Sequence, residues 1–200
     1  MNLPNKLTLG RIILVPFFVA ALLIPFPFHN IAALLLFIAA SITDLLDGKI
    51  ARKRNLITDF GKFADPLADK ILVLSALLCF IQLGWCDCAA VIIVLLREFS
   101  VTSIRLIAAA KGEVIAANMW GKVKTVTQMV AIIAIIVFRA AYEIILMLLP
   151  ASVAQDAVFS ATLNQCLFWA GEVLIWISTV FAVISGVIYL VQNKHFISEK

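Results

Sequence analysis

Long apolar runs, broken only by short polar turns, leave this 200-residue chain few folds to choose from. The runs are far longer than the ~10 residues of a membrane β-strand, and several match the ~20 residues of a membrane-crossing helix. Inside a bilayer every backbone N–H and C=O must be satisfied within the protein, and runs of this length achieve that as helices. The composition agrees. Hydrophobic residues make up 64% and charged residues 14%, against about 45–50% and ~25% in a soluble domain. The sequence predicts an all-α, polytopic membrane protein, one domain over residues 1–200.

Six transmembrane helices are expected. They cover about 12–24, 31–42 and on into an acidic stretch, a third segment ending near Leu83, then 89–110, 120–149 and 166–191. Residues 1–11 are mildly amphipathic, with Leu3 and Leu7 among Asn5, Lys6 and Thr8, and predict a short N-terminal interfacial helix. The charged start followed by an apolar run is like a secretory signal. No small-residue cleavage site precedes Pro25, so it is taken as a retained first span. Residues 150–165 are expected as an outer loop with room for an interfacial helix. Positive charge is lopsided: Lys6, Arg52, Lys53, Arg54, Lys122, Lys124 and Lys194 fall on one side, Arg139 alone on the other. Positive loops stay in the cytoplasm, so both termini and the acidic stretch are expected there, in a bacterial inner membrane. The net charge of +4 is spread without basic–aromatic tracts and does not point to nucleic acid. Cys86 and Cys88, one residue apart, suit a zinc site poorly.

The acidic stretch runs from Asp44 to Asp69. It reads Asp44-Leu-Leu-Asp47-Gly48-Lys-Ile-Ala51-Arg52, then eight residues, then Gly61-Lys-Phe-Ala-Asp65-Pro-Leu-Ala-Asp69. Its four carboxylates are spaced by three, eighteen and four. Residues three or four apart share a helix face, so each pair can point one way, and a chain folded back here brings the pairs together. Carboxylates in an apolar chain are costly and mark function. A pair at a membrane surface can also be a plain solvated helix end, a reading that four at these spacings disfavours. Oxygen-only ligands suit hard divalent cations, magnesium before zinc. Two such ions can clamp the attacking and leaving oxygens of a phosphoryl transfer. Arg52 adds a planar fork that matches phosphate oxygens, or else an anchor to lipid headgroups.

These residues carry a resemblance. The pattern D-x2-D-G-x2-A-R-x8-G-x3-D-x3-D resembles the signature of the CDP-alcohol phosphotransferase family, with every fixed position filled over about an eighth of the chain. The resemblance implies an integral membrane enzyme that moves a phosphatidyl or similar group from a CDP-linked donor to an alcohol, with two Mg2+ sites that Mn2+ could also fill. It implies Asp44, Asp47, Asp65 and Asp69 as metal ligands and Asp69 also as the catalytic base. It implies Gly48, Ala51, Arg52, Thr58 and Gly61 around the CDP donor, and a homodimer; a family-like fold would also lay Thr8, with Asn5 and Arg11, beside the donor, a segment equally explained as an interfacial anchor. The two glycines are equally explained by close helix packing.

A second constellation comprises Arg97, Glu98, Arg105, Asn118, Lys122, Lys124 and Thr125. Arg97 lies in the middle of a span, where a charge must face a partner or a cavity. Arg97 and Arg105 are eight apart and share a face; with Lys122 they would form a pocket for a second phosphate. The competing reading of Arg97 is a buried pair with Glu98. The segments around Arg97-Glu98, Arg105 to Gly112 and Asn118 to Thr125, with Asn-Leu-Pro-Asn-Lys-Leu-Thr at the start, resemble the phosphatidylglycerophosphate synthase branch of the family. CDP-diacylglycerol as donor and glycerol 3-phosphate as acceptor follow from that resemblance. Another acceptor (serine, inositol phosphate or choline) would need fewer cations in the pocket. A cation transporter would be hindered by Arg52 beside the carboxylates. The motif holds no histidine, serine or cysteine, so a single in-line displacement is expected.

Overall fold

The computed structural model describes residues 3–54, 59–113, 115, 118–150, 153 and 156–194; the side chains of 3–7, 44–54, 59–69 and 110 are outside the description. Among the described residues there are six helices and no strand. They are α1 (Leu3–Leu23), α2 (His29–Arg54), α3 (Asp59–Gln82), α4 (Cys88–Ala110), α5 (Met119–Leu148) and α6 (Ala157–Gln192).

Each boundary has a local cause. Pro25 and Pro27 follow α1, and Phe28 then turns the chain at φ 63, a left-handed backbone unusual for an aromatic residue. Two bonds hold it there: Phe28 N donates to Glu143 Oε1 at 2.6 Å, and Ala32 N donates to Phe28 O at 3.0 Å. Gly84, at φ 66, closes α3, with Trp85 N bonded back to Phe80 O at 2.8 Å. This is the glycine stop that orphan helix carbonyls favour. Asn118 caps α5 by accepting from Gly121 N at 2.8 Å, and Asp156 caps α6 by accepting from Val158 N at 2.8 Å.

Two expectations are corrected. The first eleven residues do not form a separate interfacial helix. α1 runs unbroken from Leu3, because nothing between Leu3 and Leu23 interrupts it, Pro16 included. α6 begins at Ala157, not near 166, so the helix allowed for in the 150–165 stretch is the start of α6 itself, opened by the Asp156 cap. The expected six spans are met in part: α5 and α6, each with mean hydropathy 2.3, are long and apolar enough to cross a membrane on length and composition alone. Apolar stretches in the other helices are shorter, such as Thr8–Leu23, His29–Thr43 and Lys70–Gln82.

One apolar cluster draws residues from all six helices, with Phe18, Phe37, Phe80, Val91, Ile132, Ile136 and Ile175 fully buried. The inward stripe of α6 is made of small side chains. Gly171, Ser178, Ala182, Ser185 and Gly186 recur at helical spacing and are buried, which lets backbones approach as membrane helices do. Outward faces are apolar as well. Phe17, Leu35, Leu96, Phe99, Val130 and Val191 each expose more than half their surface, which is far more apolar patch than a water-facing protein carries.

Candidate functional site

α4 stacks Arg97, Val101 and Arg105 in one row, because residues four apart on a helix stand one above another. Glu98 and Thr102 form the next row. These residues face the first turns of α5, together with Lys70, Val73 and Leu74 of α3 and Tyr189 of α6, around a cavity of about 630 Å³. The described lining holds five cations, Lys70, Arg97, Arg105, Lys122 and Lys124, and one carboxylate, Glu98.

Glu98 accepts from Arg97 Nη1 at 2.9 Å and also from Lys124 Nζ. One carboxylate is therefore shared by two cations. Arg97 Nη2 donates to Ser185 Oγ at 2.6 Å. Lys70 Nζ donates to Thr102 Oγ1, whose own proton goes to the Glu98 carbonyl at 2.6 Å. Arg105 Nε donates to the Tyr189 hydroxyl at 3.2 Å, with its guanidinium 5.5 Å from the ring centroid. Three donors on this lining are buried without an acceptor: Arg97 Nε, Asn118 Nδ2 and Gln128 Nε2. A buried donor left unbonded costs about 1–3 kcal/mol. Surplus positive charge and unmet N–H groups on one wall fit an anionic ligand rich in oxygen, such as a phosphate.

Gly186 sets the depth of this wall. A Cβ added there would lie 2.9 Å from Arg97 Cγ. Only a bare backbone lets α6 press against the Arg97 stem while Ser185 holds its end.

The sequence-predicted acceptor residues are brought together: Arg97, Arg105 and Lys122 all line the cavity. Arg97 both pairs with Glu98 and faces the cavity. Sequence reasoning missed Lys70, Gln128, Ser185 and Tyr189. Gln128 carried a usable signal, being four residues after Lys124 on the same face. Tyr189 and Ser185 carried none, because they arrive from a distant helix.

Asp44, Asp47, Gly48, Ala51 and Arg52 fall on α2, and Gly61, Asp65 and Asp69 on α3. Their side chains, and Thr58 altogether, lie outside the described residues. The helical backbone puts Asp44 and Asp47 about one turn apart, and likewise Asp65 and Asp69. An all-carboxylate donor set on two such helices fits hard divalent cations. Thr8 is fully buried on α1, as is Arg11 one turn on, and α1 packs against both motif helices, α2 and α3. The cavity and the acidic stretch meet in the chain, since Lys70 directly follows Asp69. Cys86 and Cys88 are free thiols, one buried and one exposed.

Comparison with known proteins adds an independent line. The profile of the CDP-alcohol phosphatidyltransferase family matches residues 1–184. The CDP-diacylglycerol–glycerol-3-phosphate 3-phosphatidyltransferase of Bacillus subtilis (strain 168) is 39% identical over 204 residues, covering 96% of this chain and 95% of its own length. The protein of the same name from Rickettsia bellii is 33% identical, covering 98% and 97%. A probable phosphatidylglycerophosphate synthase of Mycobacterium tuberculosis is 42% identical over 134 residues, covering 66% and 64%.

Proposed function

This chain belongs to the CDP-alcohol phosphatidyltransferase family, and on that footing we propose that it transfers the phosphatidyl group of CDP-diacylglycerol to glycerol 3-phosphate, yielding phosphatidylglycerophosphate and CMP. One observation carries the choice of acceptor. Lys70, the neighbour of Asp69, lines the same cavity as Arg97, Arg105 and Lys122. A phosphate-bearing alcohol seated on those cations has its hydroxyl directed to the acidic stretch.

In this reading Asp44, Asp47, Asp65 and Asp69 hold two Mg2+ ions, or Mn2+ in their place. Bound there, the ions supply charge neutralisation for the donor's pyrophosphate. Thr8, Gly48, Ala51, Arg52, Thr58 and Gly61 surround the CDP moiety, with Arg52 on its phosphates. Arg97, Arg105 and Lys122 orient the acceptor phosphate. Asp69 takes the proton from the acceptor hydroxyl, whose oxygen attacks the diacylglycerol-linked phosphorus as the bond to CMP breaks. No phosphatidyl-enzyme forms. All six helices cross a bacterial inner membrane, both termini and the site face the cytoplasm, and the chain works as a homodimer. The exposed apolar faces of the helices and the clustering of cations at one end support this placement.

The test is product analysis. Purified protein is given labelled CDP-diacylglycerol and Mg2+ with glycerol 3-phosphate, serine, choline and inositol phosphate in competition. Phosphatidylglycerophosphate should be the dominant lipid product, with equimolar CMP. Preference for any other acceptor would overturn the assignment of the cavity.

A further inference from the structure

The end of the bundle opposite the cationic cavity holds a second polar pocket, which the proposed reaction does not use. Arg139 stands on α5 fifteen residues beyond Lys124, about 22 Å along the helix at 1.5 Å per residue. With His29, Asn30, Trp85, Glu143 and Asn164 it lines a cavity of about 470 Å³, whose wall also includes Leu146 and Met147.

Two features of this cavity ask for a ligand. Arg139 is only 7% exposed, yet it makes no ion pair among the described residues. Its Nη1 donates to Asn164 Oδ1 at 2.8 Å, and its guanidinium lies 4.9 Å from the Trp85 ring centroid. A ring face and one amide oxygen offset part of the desolvation of a buried cation; an anion would offset the rest. The nearby carboxylate is engaged elsewhere, since Glu143 accepts from Phe28 N at 2.6 Å and from Asn30 Nδ2 at 3.2 Å. That second bond fixes the Asn30 amide and leaves its Oδ1 buried without a donor. The cavity thus has a cation lacking an anion on one side, and a carboxylate beside an unmet acceptor on the other.

We propose that this cavity binds the headgroup of a phospholipid in the leaflet away from the catalytic end. The ligand class is a phosphodiester with an N–H-bearing head, as in a phosphoethanolamine lipid. The phosphodiester oxygens take the remaining Arg139 N–H groups, and the ammonium donates to Asn30 Oδ1 and Glu143. Ile144, Ile145 and Met147, exposed on the same stretch of α5, lie where the acyl chains descend. The site shares no residue with the acidic stretch or the cationic cavity, so it stands independently of the proposed reaction.

The test uses the full chain purified in detergent, with thermal unfolding and native mass spectrometry as readouts. The probes are dioctanoyl-phosphatidylethanolamine, dioctanoyl-phosphatidylcholine and inorganic phosphate. The ethanolamine lipid should raise the unfolding midpoint by about 5 °C near saturation and appear as a retained adduct. The choline lipid, which has no N–H to donate, should give less than half that shift, and phosphate none. In Arg139→Gln the shift should vanish and adduct occupancy fall at least tenfold, while CMP release persists. Equal retention by variant and wild type overturns the site. Should the variant not fold, equal shifts from the ethanolamine and choline lipids in the wild type overturn it instead. A full shift from phosphate alone assigns the cavity to a small anion and overturns the lipid.

Discussion

Glu98 sets how much positive charge the cationic cavity keeps. It is shared between Arg97 and Lys124, so beside Arg97 it is Arg105 and Lys122 that bring a ligand the charge Glu98 does not offset. Arg105 is held at the mouth by Tyr189 without an ion pair among the described residues. Arg105→Ala should therefore raise the KM for glycerol 3-phosphate by about 10- to 100-fold, the equivalent of about 1.5–3 kcal/mol for a charge-assisted contact, and leave the KM for CDP-diacylglycerol nearly unchanged. Steady-state kinetics with each substrate varied in turn checks this. Gly186→Ala acts on the same pocket by another route. The added methyl would sit 2.9 Å from Arg97 Cγ, near the root of the side chain, where it cannot swing aside. Overpacking of this kind costs about 1–3 kcal/mol, and acceptor kcat/KM should fall about tenfold with donor binding intact. Asp69→Asn tests the proposed base. Turnover should nearly cease, while CDP-diacylglycerol binding stays measurable by equilibrium titration, since three carboxylates of the proposed metal set remain.

The turn between α3 and α4 decides which thiols react and from which side. Cys86 is buried there, and burial, then the charges of Glu172 and Asp87 and the neighbouring Cys88, push its thiol from 9.0 up to about 12. The folded protein thus holds this proton more tightly than the unfolded chain. Its contribution to stability is intact below about pH 9 and is lost as pH rises toward 12. At neutral pH Cys86 stays protonated and inert, whereas Cys88 is exposed. In a Cys166→Ser background, maleimide should label Cys88 and spare Cys86, as peptide mass mapping would read. In intact cells a membrane-impermeant maleimide should reach Cys88. Labelling only after permeabilisation would reverse the proposed orientation. Glu172 braces the same turn, accepting from Asp87 N at 2.9 Å and Trp176 Nε1 at 2.7 Å, and so ties it to the middle of α6.

At the scale of the whole molecule, the described residues form an apolar core and a largely apolar exterior. Its core runs through all six helices, while Leu96, Phe99 and Val130 point outward on the helices that also carry the cavity. Water cannot wet that exterior without a large loss of stability, at about 25 cal/mol for each Å² of apolar surface. Membranes washed with alkaline carbonate should therefore retain the protein in the pellet and release it only to detergent. Immunoblotting of both fractions checks this, and release into the carbonate supernatant would contradict a spanning fold.

Much of this was legible in the order of residues. Apolar runs specify helices because a bilayer leaves the backbone no other partner, and all six helices lie close to the expected runs. The spacing of Arg97 and Arg105 placed them on one face, and the cavity confirms it. A helix within 150–165 was allowed for, but its union with the last span was not legible, because the capping bonds that Asp156 accepts outweigh the weak hydropathy of the turns that follow. Nor was the separation of α1 into two parts real, since a mild polar bias does not break a helix. What only tertiary structure decided is which distant groups meet. Ser185 reaches Arg97 and Tyr189 reaches Arg105 from more than eighty residues away, and Asn30 meets Glu143 across 113. Helix periodicity reports the face a residue occupies, whereas the partner on that face depends on how close two backbones can come. Here that closeness rests on a glycine at 186.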